Sequence, residues 1–332
     1  MKSYISTALK NHWKKILSLY IIGLIAFGSI SAIKPSLYTA DEMMAAYPKD
    51  AEYVVGDATT AAVIHVLDTL LNKPGGYLSN DILSKIGVWD NMPSFELGAI
   101  YMTRDLFRTI REDFSRSQSQ SVENPILKKK QPDIDYRHNS FMLPRTESTL
   151  RSAMEGMIQY REGISDVNVP LAQFHTRAES LADYLSTVAK RMGSYNQQLA
   201  ANSGQRRVDT NLANDPDAQQ STPTPAELTD KNGFFQVDNV WHETRGATYA
   251  AVHFLRAIEV DYAVTLKKKG ATISIRQIIR ELESTQESYW STPFVFNGSG
   301  RGWVPNHSDT LSASLGRANS ALLDIVRLLK DG

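Results

Sequence analysis

Leu171–Leu199, LAQFHTRAESLADYLSTVAKRMGSYNQQL, is the stretch on which the fold turns. Leu171, Phe174, Ala178, Leu181, Leu185, Val188, Met192, Tyr195 and Leu199 recur at steps of three and four without a break. Residues at those steps share one face of a 3.6-residue turn, so the spacing predicts a long amphipathic helix. A strict seam over about four heptads also has the form of a coiled coil. The flanking positions argue against two chains joining through it. His175, Arg177, Ala182, Tyr184, Ala189, Arg191 and Asn196 lack the Glu/Lys pairing of a free zipper. The seam therefore predicts an intramolecular bundle.

The segments on either side repeat the helical period. Upstream, a helix is expected over Thr146–Glu162, with Leu150, Met154, Met157 and Ile158 facing in. Before it, Phe95, Ala99, Met102, Leu106, Ile110 and Phe114 line a helix starting near Pro93 or Ser94, where proline suits the first turn. Another is expected over Ala58–Asn72, capped by Asp57 and stopped by Lys73-Pro74-Gly75-Gly76. Pro35–Gly56 reads as an irregular lead-out and Ser115–Gln131 as an exposed, aperiodic crossing.

Downstream, Ser203–Asp230 is polar and rich in Asp, Asn, Gln, Pro and Thr. Such composition buries too little surface to offset ordering entropy, so 203–230 reads as a flexible linker. Val240, Thr244, Ala247, Ala251, Leu255, Ile258, Tyr262 and Leu266 then line one helix that ends at Lys267–Gly270. Ile275, Ile278, Ile279 and Leu282 mark a shorter one. Thr310–Leu329 carries a second heptad-like seam, with Ser308 or Asp309 as its expected N-cap. No alternating strand exceeds Phe294–Phe296. The predicted class is all-α: a helical region over 57–202, the linker, and a C-terminal helical region over 231–330 packing on or beside the first.

Length and charge narrow the partners. The 332 residues suffice for one or two domains. Thirty-six basic and 36 acidic residues argue against a nucleic-acid binder. The absence of cysteine excludes disulfides and thiol chemistry. Ile16–Ile33, ILSLYIIGLIAFGSISAI, carries no charge. As a helix it spans about 27 Å, close to a bilayer's hydrocarbon core. Lys2, Lys10, Lys14 and Lys15 precede it without an acidic residue. The expectation is an inner-membrane protein with one span: 1–15 cytoplasmic, 16–33 in lipid, the bulk periplasmic. A cleaved signal peptide is the alternative, but its apolar run is usually about 7–15 residues and Ser29-Ile30-Ser31 makes a poor cleavage site.

Special-purpose residues concentrate in Asn72–Ser121. The loop Pro74–Pro93 is rich in Gly, Asn, Asp and aromatics, as is a second loop, Tyr289–Asp309. Tyr77, Asn80, Asp81, Trp89, Asp90 and Asn91 of the first, with Arg301 and Trp303 of the second, form the expected binding surface. Glu96 and Asp90 are the only acid/base pair worth naming, for a glycan hydrolase needing two carboxyls about 5–10 Å apart. The simpler account has Glu96 favouring the helix N-terminus.

Other constellations fail on spacing. His242-Glu243-Thr244-Arg245 begins like H-E-x-x-H but has Arg where the second zinc ligand belongs. His175 and Glu179 fit an ion pair on one helix face better than a metal site. Gly298–Gly302 lacks the G-K-[ST] ending of a phosphate loop. His307-Ser308-Asp309 is too contiguous for a triad. No metal or cofactor is implied.

Several strings carry a resemblance. KPGGYLSND at Lys73–Asp81, DNMPSFELG at Asp90–Gly98, RSQSQS at Arg116–Ser121, FHTRAESLADYL at Phe174–Leu185 and RMGSYNQQLAANSG at Arg191–Gly204 resemble a bacterial family of unknown function. The resemblance implies envelope proteins with one N-terminal membrane segment and supplies no activity. The expected function is a non-catalytic, membrane-anchored interaction or assembly protein of the envelope with a protein partner. The alternatives are a membrane-tethered cell-wall glycan hydrolase and a periplasmic ligand sensor acting through a partner.

Overall fold

A computed structural model describes residues 13, 15–20, 23, 35–49, 52–81, 90–116, 122–166, 172–202, 206–208, 227–229, 234–287, 295–297 and 305–331. These are overwhelmingly helical. Of the expected span 16–33, only 16–20 and 23 are among them, in helical conformation; the rest lies outside the described residues. No helix among the described residues is long and apolar enough to cross a membrane.

Two helices occupy ground expected to be irregular. α1, Ala40–Ala46, is held by a reciprocal cap: Glu42 N donates to Thr39 Oγ1 at 3.3 Å and Thr39 N donates to Glu42 Oε2 at 2.7 Å. Further helices follow in chain order: α2, Asp57–Asn72; α3, Asn91–Thr109, which ends in a π-turn over Ile110–Phe114; and α4, Pro125–Ile134. α4 replaces part of the expected exposed crossing. Asn124 Oδ1 accepts from the amides of Ile126 and Leu127, Pro125 sits in the first turn, and Leu127, Gln131 and Ile134 are buried.

α5 spans Thr146–Gly163 and α6 spans Ala178–Asn202. The seam that predicted α6 begins too early, because residues 172–177 are not helical. The His175 amide donates to Phe114 O at 2.7 Å, and the Phe174 and Phe114 rings lie 5.3 Å apart. A tertiary bond and an aromatic contact thus take over from the helical ladder. From Leu181 to Leu199 the predicted seam is buried.

Within the expected linker, β1 (Arg206–Val208) pairs antiparallel with β2 (Glu227–Thr229). α7, Phe234–Asp261, stops earlier than its period suggests; Tyr262 turns the chain into α8, Ala263–Lys268. α9 spans Thr272–Ser284 and α10 spans His307–Asp331. The Asp309 amide donates to Asn306 Oδ1 at 3.0 Å, so Asn306 caps α10 rather than Ser308 or Asp309.

α7 is the hub. α3 runs parallel to it: Ser94 meets Asn239, Phe95 meets Tyr249, and Phe114 meets Tyr262. α2 runs antiparallel, with Thr59 against Asp261 and His65 against His253. α6 and α9 are also antiparallel, through Tyr195–Glu243 and Asn202–Val237 for one and Thr248–Thr285 and Arg256–Glu283 for the other. α10 lies antiparallel on α6, from Asn202–Ser308 to Asp183–Lys330.

The α3–α7 crossing is backbone against backbone. A methyl group at Gly98 would overlap the Glu243 carbonyl oxygen and come within 2.8 Å of the Ala247 nitrogen. One at Gly246 would overlap the Phe95 carbonyl oxygen and come within 2.6 Å of its carbon. Each helix therefore needs glycine where the other passes.

At the other end of α7, Asp261 caps α2 from a distance. Asp57 does not act as its N-cap; Gly56 holds that position at φ +100°. Asp261 instead accepts from the Gly56 amide at 2.8 Å, the Thr59 amide at 2.7 Å and the Thr59 hydroxyl at 2.6 Å. Asp57 pairs with Arg161 at 2.6 Å and Lys49 at 3.0 Å, which fastens α5 and the lead-out to α2.

Candidate functional site

The turn after α2 is built around one carboxylate. Gly75 and Gly76 both have positive φ and swing the chain back over the end of α2. This brings Lys73, Leu78 and Ser79 to Glu96 in the first turns of α3. The Glu96 oxygens accept from Lys73 Nζ, the Leu78 amide at 2.9 Å, the Ser79 amide at 2.8 Å and the Ser79 hydroxyl at 2.6 Å. Lys73 also donates to the Gly76 carbonyl. Glu96 is fully buried and Lys73 nearly so. Burial pushes the Glu96 carboxyl above its ordinary value, against the pull of the Lys73 ammonium and the Ser79 and Leu78 donors. Every partner of Glu96 belongs to the turn that it holds. Its role is to lock that turn, and no solvent-open acid/base pair with Asp90 is formed.

The same turn is braced on its outer side by residues 138–147. Tyr77 donates through its hydroxyl to the His138 carbonyl at 2.5 Å. Asn80 donates to the Ser140 carbonyl at 3.2 Å and to Glu147 Oε2 at 2.7 Å. Tyr77, Asn80 and Asn91, expected on a binding surface, are buried, the first two because their polar groups tie the turn to residues 138–147. Asp81 and Asp90 are half-buried. Trp89, Arg301 and Trp303 lie outside the described residues.

Asp90 opens onto a cleft of about 280 Å³ lined by Ser79, Pro93, Ser94, His138, Asn139 and Asn239. Its Oδ2 accepts from Asn239 Nδ2 at 3.2 Å, and its Oδ1 has no hydrogen-bond partner among the described residues. Burial raises the Asp90 carboxyl, with Asp238 adding repulsion and Asn239 opposing. The second expected loop reaches the same end of α7. The Phe296 amide donates to His307 Nδ1 at 3.0 Å, and the His307 ring lies 6.2 Å from Trp241, two residues beyond Asn239. The N-terminal end of α7 thus gathers the described parts of both expected loops, together with the 138–147 brace.

That brace carries a feature with no periodicity to announce it. Phe141, Met142 and Leu143 are consecutive and exposed at 52%, 78% and 93%. Arg137 and Arg145 flank them, both exposed, with the Arg145 guanidinium 5.9 Å from the Phe141 ring centre. The base of the tip is pinned: the Ser140 amide donates to Thr146 Oγ1 at 3.0 Å, and Thr146 Oγ1 donates to the Arg137 carbonyl at 2.8 Å.

The failed motifs are structural. Arg245, in the place of a second zinc ligand, stacks over Trp241 at 4.5 Å and donates to the Thr285, Gln286 and Glu287 carbonyls beyond α9. His175 precedes α6 and does not share a helical face with Glu179. Among the described residues, no group of three or more His, Asp or Glu side chains is placed to hold a metal ion.

The profile of a family described as an uncharacterized protein conserved in bacteria, DUF2333, matches residues 6–332, so the chain belongs to that family. No curated protein and no solved structure matches it.

Proposed function

As a member of this bacterial family, the protein is, we propose, a non-catalytic interaction protein of the cell envelope. It is anchored in the inner membrane by residues 16–33, with its helical body in the periplasm, and it contacts its partner at the N-terminal end of α7. The observation that carries this reading is the spent carboxylate. Glu96, the natural acid of a hydrolase, is sealed among four donors, whereas three large apolar side chains stand exposed on the pinned loop beside it. Buried, saturated polar groups specify shape; exposed contiguous apolar groups mark contact surfaces.

Crosslinking in the native bacterial membrane, followed by mass spectrometry, tests the proposal. Crosslinks from the cleft residues Asp90, Pro93, Ser94 and Leu97 to a defined envelope protein are expected. Recovery of a lone monomer that cleaves cell-wall glycan would overturn it. The variant E96Q separates the readings further. It leaves the Lys73 ammonium buried without its counter-charge, so a stability loss of about 3–5 kcal/mol is expected. A hydrolase would instead lose turnover while staying folded.

A further inference from the structure

We propose that the Phe141–Leu143 tip inserts into the outer leaflet of the bilayer that holds residues 16–33, with Arg137 and Arg145 at anionic lipid headgroups. This rests on the anchored reading above and adds a second point of membrane contact.

Three observations point to lipid. The tip is convex, with exposure rising from Phe141 to Leu143. A protein partner would need a pocket shaped to these side chains, whereas acyl chains conform to any apolar projection. The flanking charge is complementary to anionic headgroups: Arg137 and Arg145 bracket the apolar triplet, as basic residues bracket the apolar face of interfacial anchors. Reach is the third. Lys34–Thr39, six residues, join the expected span to α1 at Ala40. Pro35–Thr39 lie on the body, with Tyr38 bonded to His253 and Arg256 partway along α7, so this short connection holds the body at the bilayer surface without selecting which end of α7 touches it. A tether that short keeps a weak second contact at high effective concentration.

The hydrogen bonds at the tip's base add preorganisation. Thr146, Tyr77 and Asn80 hold residues 137–140, so insertion does not first have to order the loop. The lysines of α8 make a control, since Lys268 is exposed and lies beyond the opposite, C-terminal end of α7.

The absence of cysteine allows clean labelling of the full chain. The variants M142C and K268C, each carrying an environment-sensitive dye, are reconstituted into vesicles of phosphatidylethanolamine and phosphatidylglycerol with a spin-labelled acyl-chain quencher. Quenching at position 142 is expected to exceed that at position 268 severalfold, because only a dye within the acyl region meets the quencher. Replacing phosphatidylglycerol with phosphatidylcholine, or both arginines with glutamine, is expected to reduce it. Equal quenching at the two positions, in protein that stays with the vesicles after alkaline extraction, would overturn the insertion and leave the anchor standing. A crosslink from position 142 to a protein, without lipid quenching, would do the same in favour of a protein partner. Release of the protein on alkaline extraction would overturn the anchor and the insertion with it.

Discussion

Two helix pairs form the spine of the molecule, and they are joined by opposite means. α6 and α10 meet through side chains: Leu181, Leu185, Val188, Met192 and Leu199 on one, Leu311, Leu315, Leu322, Ile325 and Leu329 on the other, all buried. α3 and α7 meet through backbone, with Gly98 and Gly246 each lying where the partner's carbonyl would strike a side chain. Both pairs contain glycine, and the contrast is sharpest there. A methyl on Gly193 or Gly316 would sit 3.7 or 3.8 Å from an asparagine amide of the facing helix, an ordinary contact. One pair is a cushion that can repack, and the other is a fixed gauge that cannot. Tolerance to substitution should follow that division, whatever the burial of the residue changed.

The largest effect is expected at the gauge. G246A drives a methyl into the Phe95 carbonyl, and neither backbone can yield without parting the helices. A loss of more than about 4 kcal/mol, or no folded protein, is expected by urea denaturation. A loss below about 1 kcal/mol would erase the distinction drawn here.

Next comes His253, two turns further along α7, which is buried neutral. Its Nδ1–H donates to the Tyr249 carbonyl at 2.8 Å, and its Nε2 accepts from the Tyr38 amide at 3.1 Å. Burial holds its pKa down to about 3. The unfolded chain takes up this proton below about pH 6.5 and the folded chain does not. Its contribution is present above that pH and is lost as pH falls toward 3, about 5 kcal/mol at most. H253Q is expected to flatten this acid limb in a stability–pH series; an unchanged slope would remove His253 from the account.

At the cushion, L185A is expected to cost about 3 kcal/mol, because neighbouring leucines close part of the cavity. The smallest effect has the opposite sign. G316A, in the middle of α10 with room for a methyl, is expected to gain about 0.5–1 kcal/mol from helix propensity. Destabilisation there would mean that the α6–α10 glycines also set the spacing.

The contrast also explains what could be read from the chain beforehand. A side-chain seam writes its period into one segment, so the buried seam was legible from Leu181 to Leu199 of α6 and from Leu311 to Leu329 of α10, though the start of α6 and the burial of Ala182, Tyr184 and Ala189 beside the seam were not. A glycine crossing writes nothing local, since Gly98 and Gly246 acquire meaning only when brought together from 148 positions apart. The same holds for Lys73 with Glu96 and for Asp261 with Thr59. α1 and α4 were legible in principle: Thr39 and Glu42 form a capping box, and Asn124-Pro125 is a cap followed by a first-turn proline. Neither shows a helical period, because its apolar content is too short. Of the expected site, Pro74–Pro93 is legible as a place, but the inward direction of Tyr77 and Asn80 depends on partners at 138–147.

The carboxylate that caps α2 has a bearing on how the chain comes into being. Asp261 lies 202 residues after Thr59. At synthesis rates of about 5–20 residues per second, the start of α2 exists for roughly 10–40 s before its cap is made. For that interval the Gly56 and Thr59 amides have no Asp261, and the faces that α7 will cover stay open to water. α7 is thus a late keystone, and the nascent first half has to be shielded until it arrives.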